Sequence, residues 1–205
     1  MKLHSDSFAH GQAIPERFAM GRMGDTFSEN RNPHLAWSDV PDGTRSFALL
    51  CIDPDAPTVA DMVGKPGIEI PVDQVRTEFV HWAMADIPAD VREFAEGAWS
   101  NGIAAGGKRN PHGPHAARHG LNGYTDWFAG NQDMGGDYFG YDGPFPPSND
   151  LRTHRYFFRL FALDAAALDR PPRFTAGDVL RAMQGHVLAE ALTYGTYSLH
   201  PARAP

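Results

Sequence analysis

Three apolar runs dominate the hydrophobic pattern, and each reads as a β-strand. The first, SFALLCID (Ser46 to Asp53), is apolar on both alternating faces, which predicts a strand buried on both sides. The second is FVHWAMADIP, Phe79 to Pro88. The third is HRYFFRLFALD, His154 to Asp164. A period of two puts His154, Tyr156, Phe158 and Leu160 on one face and Arg155 and Arg159 on the other. Shorter strands are predicted near Leu3–Phe8 and Leu35–Trp37. Towards the C-terminus the period changes to four, through Val179, Met183, Val187 and Ala191, with Leu180 and Leu188 beside them. That spacing predicts a helix capped by Thr175, with Asp178 completing a capping-box variant. Gly185 would lie inside this helix, a position that close packing would have to justify.

Between the second and third runs the pattern dissolves. Residues Gly97 to Gly143 hold twelve of the 21 glycines and form too long a stretch for an ordinary connection. The embedded Tyr124, Trp127, Phe128, Tyr138 and Phe139 favour a compact loop layer that lines a site over a disordered insertion. The chain of 205 residues, 42% hydrophobic and 21% charged, fits one globular domain over 1–205 with no internal repeat or linker. A net charge of −7 and the absence of a basic block argue against nucleic acid and against adhesion to anionic membranes. The N-terminal twenty residues lack an unbroken apolar stretch of signal-peptide length, and no segment approaches the about 18 apolar residues of a membrane span. A cytoplasmic protein without integral membrane association is the expectation. The single cysteine, Cys51, reads as a buried strand thiol, with no internal disulfide.

Several motifs are near misses. GIAAGGKR (Gly102 to Arg109) has the glycines and lysine of a phosphate-cradling loop, but Arg109 stands where Ser or Thr should hold magnesium, and prolines follow. His112, His115 and His119 have ligand-like spacing, yet Gly113 and Pro114 undermine a helix and no second cluster completes a zinc site. A solvated loop is the reading there, and no metal or cofactor is assigned. No catalytic nucleophile motif occurs.

DPDAP (Asp53 to Pro57) is sharper, because it follows directly on a buried strand. Read alone it is an Asp-Pro turn in which aspartate bonds its own backbone. Combined with a mid-strand His81 and with FGYDGPFPPSNDLRTHRY, a stiff Gly/Pro loop running into His154 and Tyr156, it supplies the parts of a small polar pocket.

These three segments together, with AMQGHVLAEA near the C-terminus, resemble the phosphatidylethanolamine-binding protein family, whose bacterial branch is called Raf kinase inhibitor-like. The resemblance runs from about Phe8 to near the end. It implies a mostly β fold: a large antiparallel sheet packed on a smaller one, with peripheral helices including one near the C-terminus. It also implies a pocket for small anions such as phosphate, acetate or a phospholipid headgroup. Carried over position by position, the pocket uses Asp53, Asp55, Pro57, His81, Gly143, Pro146, Pro147, His154 and Tyr156. Departures are Phe145 where bacterial members commonly carry cysteine, Phe79 and Val80 where many carry an aromatic pair, and a long loop from Gly102 to Gly136.

In such a pocket the Gly/Pro loop would present backbone N–H groups, Tyr156 would donate its O–H, and both histidines would donate N–H bonds. Aspartate beside an anion has two explanations: a carboxylate accepts from a histidine and holds it charged, or it shares a proton with a bound phosphate. The first is the expectation, and it has affinity falling as pH rises past the histidine pKa. The leading expectation is a non-enzymatic binding or regulatory protein for an anion such as phosphate, acetate or phosphoethanolamine. The alternatives are a kinase or protease regulator acting through a protein partner, and a hydrolase using the Asp/His pair. The sequence also allows a homodimer.

Overall fold

The computed structural model describes residues 1–24, 26–110, 113–114 and 117–202. Among them the strands are β1 (Lys2–His4), β2 (Gly21–Arg22), β3 (Thr26–Phe27), β4 (Leu35–Ser38), β5 (Ser46–Pro57), β6 (Arg76–Pro88), β7 (Glu93–Phe94), β8 (Arg118–His119), β9 (His154–Leu163) and β10 (Val187–Tyr197). Two short α-helices, α1 (Tyr124–Trp127) and α2 (Ala176–Ala182), complete the frame.

β5 lies at the centre of an antiparallel sheet ordered β10-β9-β5-β6-β8, which explains its uninterrupted apolar run. Cys51 is buried there, opposite Phe158 on one side and Trp82 on the other. One face of this sheet, carrying Leu49, Trp82, Tyr156, Phe158 and Leu160, packs with Leu35, Trp37 and Phe94 of the smaller β1-β4-β7 sheet. The other face, carrying Ala48, Leu50, Phe161 and Leu163, is covered by Val179 and Met183 of the α2 segment. The expected arrangement of a large sheet on a smaller one is present. No helix among the described residues is long and apolar enough to cross a membrane.

The C-terminal helix is half as long as its period predicts. Thr175 does cap α2, its hydroxyl accepting from the Asp178 amide while the Asp178 carboxylate accepts from the Thr175 amide. Gly185 then turns the chain at φ +81°, and Val187 to Tyr197 run as edge strand β10 against β9. The four-residue period mixed two patterns. Val179 and Met183 belong to the helix, whereas Ala191, Thr193, Gly195 and Tyr197 are the inward side of a strand. Gly185 is there for its backbone angle and not for packing, since a Cβ would meet nothing within 4 Å. Gly185→Ala is therefore expected to destabilise by about 1–2 kcal/mol through left-handed backbone strain alone. An unchanged urea midpoint would count against this account of the turn.

The glycine-rich stretch forms a folded layer over its described residues. Tyr124 and Tyr138 are buried in it against Met20, with Phe79 and Phe128 packed on them. Lys108 does not point at a phosphate site: its ammonium lies on the Tyr141 carbonyl and the Asp142 carboxylate. His112 and His115 fall outside the described residues. His119 contradicts the solvated-loop reading: it is wholly buried, its Nδ1 accepts from the Trp82 indole at 3.0 Å, and burial, followed by the nearby Lys108 charge, lowers its pKa to about 3. Among the described residues no cluster could hold a metal ion.

Candidate functional site

A cavity of about 490 Å³ opens where β5, β6 and β9 meet the loop layer. Strand alternation brings His154 and Tyr156 to it from β9, and His81 reaches it from β6. Asp53 comes from β5 just before the β5–β6 register shifts, between Asp53 and Ala56. These four side chains are buried and form its polar floor. The walls are apolar and largely aromatic, with Phe79, Tyr124, Phe128, Phe145, Pro146 and Pro147. Phe27 and Trp127, at 42% and 48% exposed, mark the mouth.

The floor is wired by carboxylates. His154 Nδ1 lies 2.6 Å from Asp53 Oδ2 and its Nε2 lies 3.0 Å from Asp150 Oδ2. Both ring nitrogens face acceptors, so the ring is an imidazolium with both donors occupied. Burial opposes that charge, but the hydrogen bonds and charges of Asp150 and Asp53 overcome it and raise the pKa to about 9. Asp53 also accepts from the Asp55 amide at 2.7 Å, the local Asp-Pro turn bond expected from the sequence. Asp150 is backed by Arg76, with Nη2 at 3.0 Å from Oδ1. His81 differs. Its Nδ1 is 2.7 Å from the Asp142 carbonyl, and burial lowers its pKa against the pull of Asp53. The Tyr156 hydroxyl is buried with no hydrogen-bond partner among the described residues, and burial, then Asp53, raises its pKa well above the ordinary tyrosine value.

Of the nine residues nominated from sequence, Asp53, Pro57, His81, Pro146, Pro147, His154 and Tyr156 line the cavity, while Asp55 and Gly143 do not. The register shift after Asp53 turns Asp55 to the other side. There its carboxylate takes two bonds from the Arg155 guanidinium, at 2.8 and 3.0 Å, one from the Arg155 amide at 3.1 Å and one from the Arg152 guanidinium at 2.9 Å. Burial would raise its pKa, and these guanidinium groups lower it instead. Gly143 is a packing glycine: a Cβ would lie 2.1 Å from the Phe18 carbonyl oxygen. The Gly/Pro loop also offers fewer amides than expected. Those of Asp142 and Gly143 donate to the His81 carbonyl and to Asn30 Oδ1. Sequence reasoning missed Asp150 and Arg76, and it placed Tyr124 only in the aromatic loop layer; the one signal for Asp150 was an acid four residues before His154.

The model of the family described as phosphatidylethanolamine-binding protein matches residues 4–198, a span that contains every cavity residue named above. The chain belongs to this family. Relatives in the phosphatidylethanolamine-binding protein family include a UPF0098 protein of Methanothermobacter thermautotrophicus, 36% identical over 96% of this chain and 98% of that one. The UPF0098 protein YbhB of Escherichia coli is 34% identical over 82% of each chain. Among solved structures, Escherichia coli YbcL, described as a member of the mammalian PEBP family, has a TM-score of 0.69 at 25% identity. It covers 96% of this chain and 97% of its own. A phosphatidylethanolamine-binding protein homolog from Chlamydia trachomatis has a TM-score of 0.63 at 27% identity over 96% of both chains.

In this member of the phosphatidylethanolamine-binding protein family the cavity wall is anchored from behind by Asp142. Its carboxylate accepts from Asn30 at 2.7 Å and Asn122 at 2.8 Å and pairs with Lys108 at 2.9 Å. Its carbonyl holds His81.

Proposed function

We propose that the chain is a binding or regulatory protein whose cavity takes small ligands with an oxyanion head, of the type of phosphate, acetate or phosphoethanolamine, joined to an apolar body. The observation that carries this reading is the Tyr156 hydroxyl, a buried donor without a partner among the described residues, at the polar floor of a cavity with apolar walls. A buried polar group left unpaired is costly, and a ligand oxygen relieves that cost. The His154 imidazolium offsets the Asp53 charge, so the aspartate does not repel an approaching anion. The aromatic walls add affinity for the body: burying about 100 Å² of apolar ligand surface contributes about 2.5 kcal/mol. A bare head of this kind binds near millimolar, about 4 kcal/mol.

Tyr156→Phe tests the reading by calorimetry with phosphoethanolamine. A hydrogen bond to a charged group is worth about 1.5–3 kcal/mol, so affinity should fall at least about tenfold. Because the hydroxyl has no partner to lose, thermal stability should hold or rise slightly. Absence of saturable binding by the unmodified protein, or equal affinity in the variant, overturns the proposal.

A further inference from the structure

The hydrogen-bond polarity of the floor goes further and restricts the head group itself. A carbonyl oxygen only accepts, so His81 Nδ1, 2.7 Å from the Asp142 carbonyl, carries the hydrogen. In the neutral ring Nε2 is then an acceptor. The groups facing His81 are Asp53 from β5, His154 and Tyr156 from β9, Tyr124 from α1, Asp142 from the loop and Phe79 on its own strand. Burial prevails over the attraction of Asp53 and Asp142, keeping the ring neutral at pH 7. Both His154 donors lie on carboxylates, and the Tyr124 hydroxyl donates to the Gly143 carbonyl at 2.8 Å. Among these floor groups the free donor is Tyr156, while His81 Nε2 and the Asp53 carboxylate are acceptors.

A dianion fits this floor poorly, because it brings acceptors only. An ammonium fits no better, since it leaves the Tyr156 hydrogen without an acceptor. Resting on the proposed function, we infer that the head group brings its own acid proton, and that a singly ionised phosphomonoester is the matched class. Its P–O⁻ accepts from the Tyr156 hydroxyl and its P–O–H donates to His81 Nε2. The second ionisation of a phosphomonoester lies near pH 6, so holding this form at pH 7 weakens binding only about tenfold. A carboxylic acid with pKa about 4.3 would lose roughly 500-fold for the same proton. A phosphodiester has no such proton to give.

Phenyl phosphate and methyl phenyl phosphate share an aromatic body and differ in the acid proton, so titration calorimetry of the pair on the whole chain tests this. At pH 6, phenyl phosphate should bind at least about tenfold more tightly. Above its second pKa its affinity should fall about tenfold per pH unit, and heats in two buffers should show about one proton taken up per ligand at pH 8. His81→Leu should erase that preference, whereas Tyr156→Phe should weaken both ligands alike. Should the leucine variant not fold, the ligand pair on the unmodified protein decides. Equal affinities, no proton uptake, uptake with the diester as well, or tighter binding of benzylamine each overturn the head-group inference while leaving a ligand-binding cavity. Binding of neither phosphate ester overturns this inference and the oxyanion reading together.

Discussion

Replacing His154 by leucine should lower the unfolding free energy by about 3–5 kcal/mol at pH 7, the penalty for removing one partner from a buried ion network. The imidazolium sits between Asp53 and Asp150, and all three side chains are almost wholly buried. Without it Asp53 loses its cation, and Asp150 keeps the Arg76 guanidinium and the Arg152 amide. The pH dependence follows in sign. His154 is raised from 6.5 to about 9 in the folded protein. Its stabilisation is complete below pH 6.5 and is lost as pH rises through 9, in total about 3 kcal/mol at about 1.4 kcal/mol per pH unit. In the variant the stranded carboxylates favour protonation, so the deficit should shrink as pH falls below about 5. Urea unfolding from pH 4 to 10 reads both effects. For comparison, breaking the exposed Arg173–Asp137 pair should leave the urea midpoint nearly unchanged, because solvent screens that pair. If His154→Leu behaves like that surface pair, or the unmodified protein is equally stable at pH 6.5 and 9.5, the His154 account fails.

The strands that build this site were legible because burial on two faces leaves an unambiguous pattern. β5, β6 and β9 begin and end within a few residues of their apolar runs. The Thr175 cap was legible for a similar reason, since capping is local chemistry. What failed were features set by tertiary contact. Val187 to Tyr197 became a strand because β9 offered an unpaired edge, and no periodicity count sees that edge. Asp55 left the cavity because a pairing irregularity reversed the side expected from alternation. His154 was legible as a site residue, yet the commitment of both its nitrogens depends on Asp150, which sits in a loop with no pattern of its own. Lys108 shows the converse. Its glycine-rich context came near a phosphate loop but failed on Arg109 and the prolines, which left its partner unnamed; that partner is an aspartate 34 residues later in the chain, beside a Gly/Pro loop read for its backbone alone.

That partner leads to the second large effect. Asp142→Asn is expected to destabilise by about 3–5 kcal/mol, although it changes shape least of all substitutions there. Lys108 and Asp142 are both nearly inaccessible at the side chain, and burial already lowers the lysine pKa against the pull of the aspartate. Taking away the carboxylate charge leaves an ammonium with, among the described residues, the Tyr141 carbonyl and a distant Ser100 hydroxyl. An asparagine also turns one acceptor into a donor, which would face the amide donor of Asn30 or of Asn122. Lys108→Met should be costly too, since it strands the charge of Asp142. The double substitution should cost less than the two single costs added, by about 1–3 kcal/mol, because it removes both halves of one buried pair. The same cycle reaches the cavity. The Asp142 carbonyl fixes the His81 tautomer, so loosening this anchor should blunt discrimination between phenyl phosphate and its methyl ester even where the protein stays folded. Additive stabilities would mean that Lys108 and Asp142 do not hold each other, and unchanged ligand discrimination would mean that His81 is oriented by something other than the loop behind it.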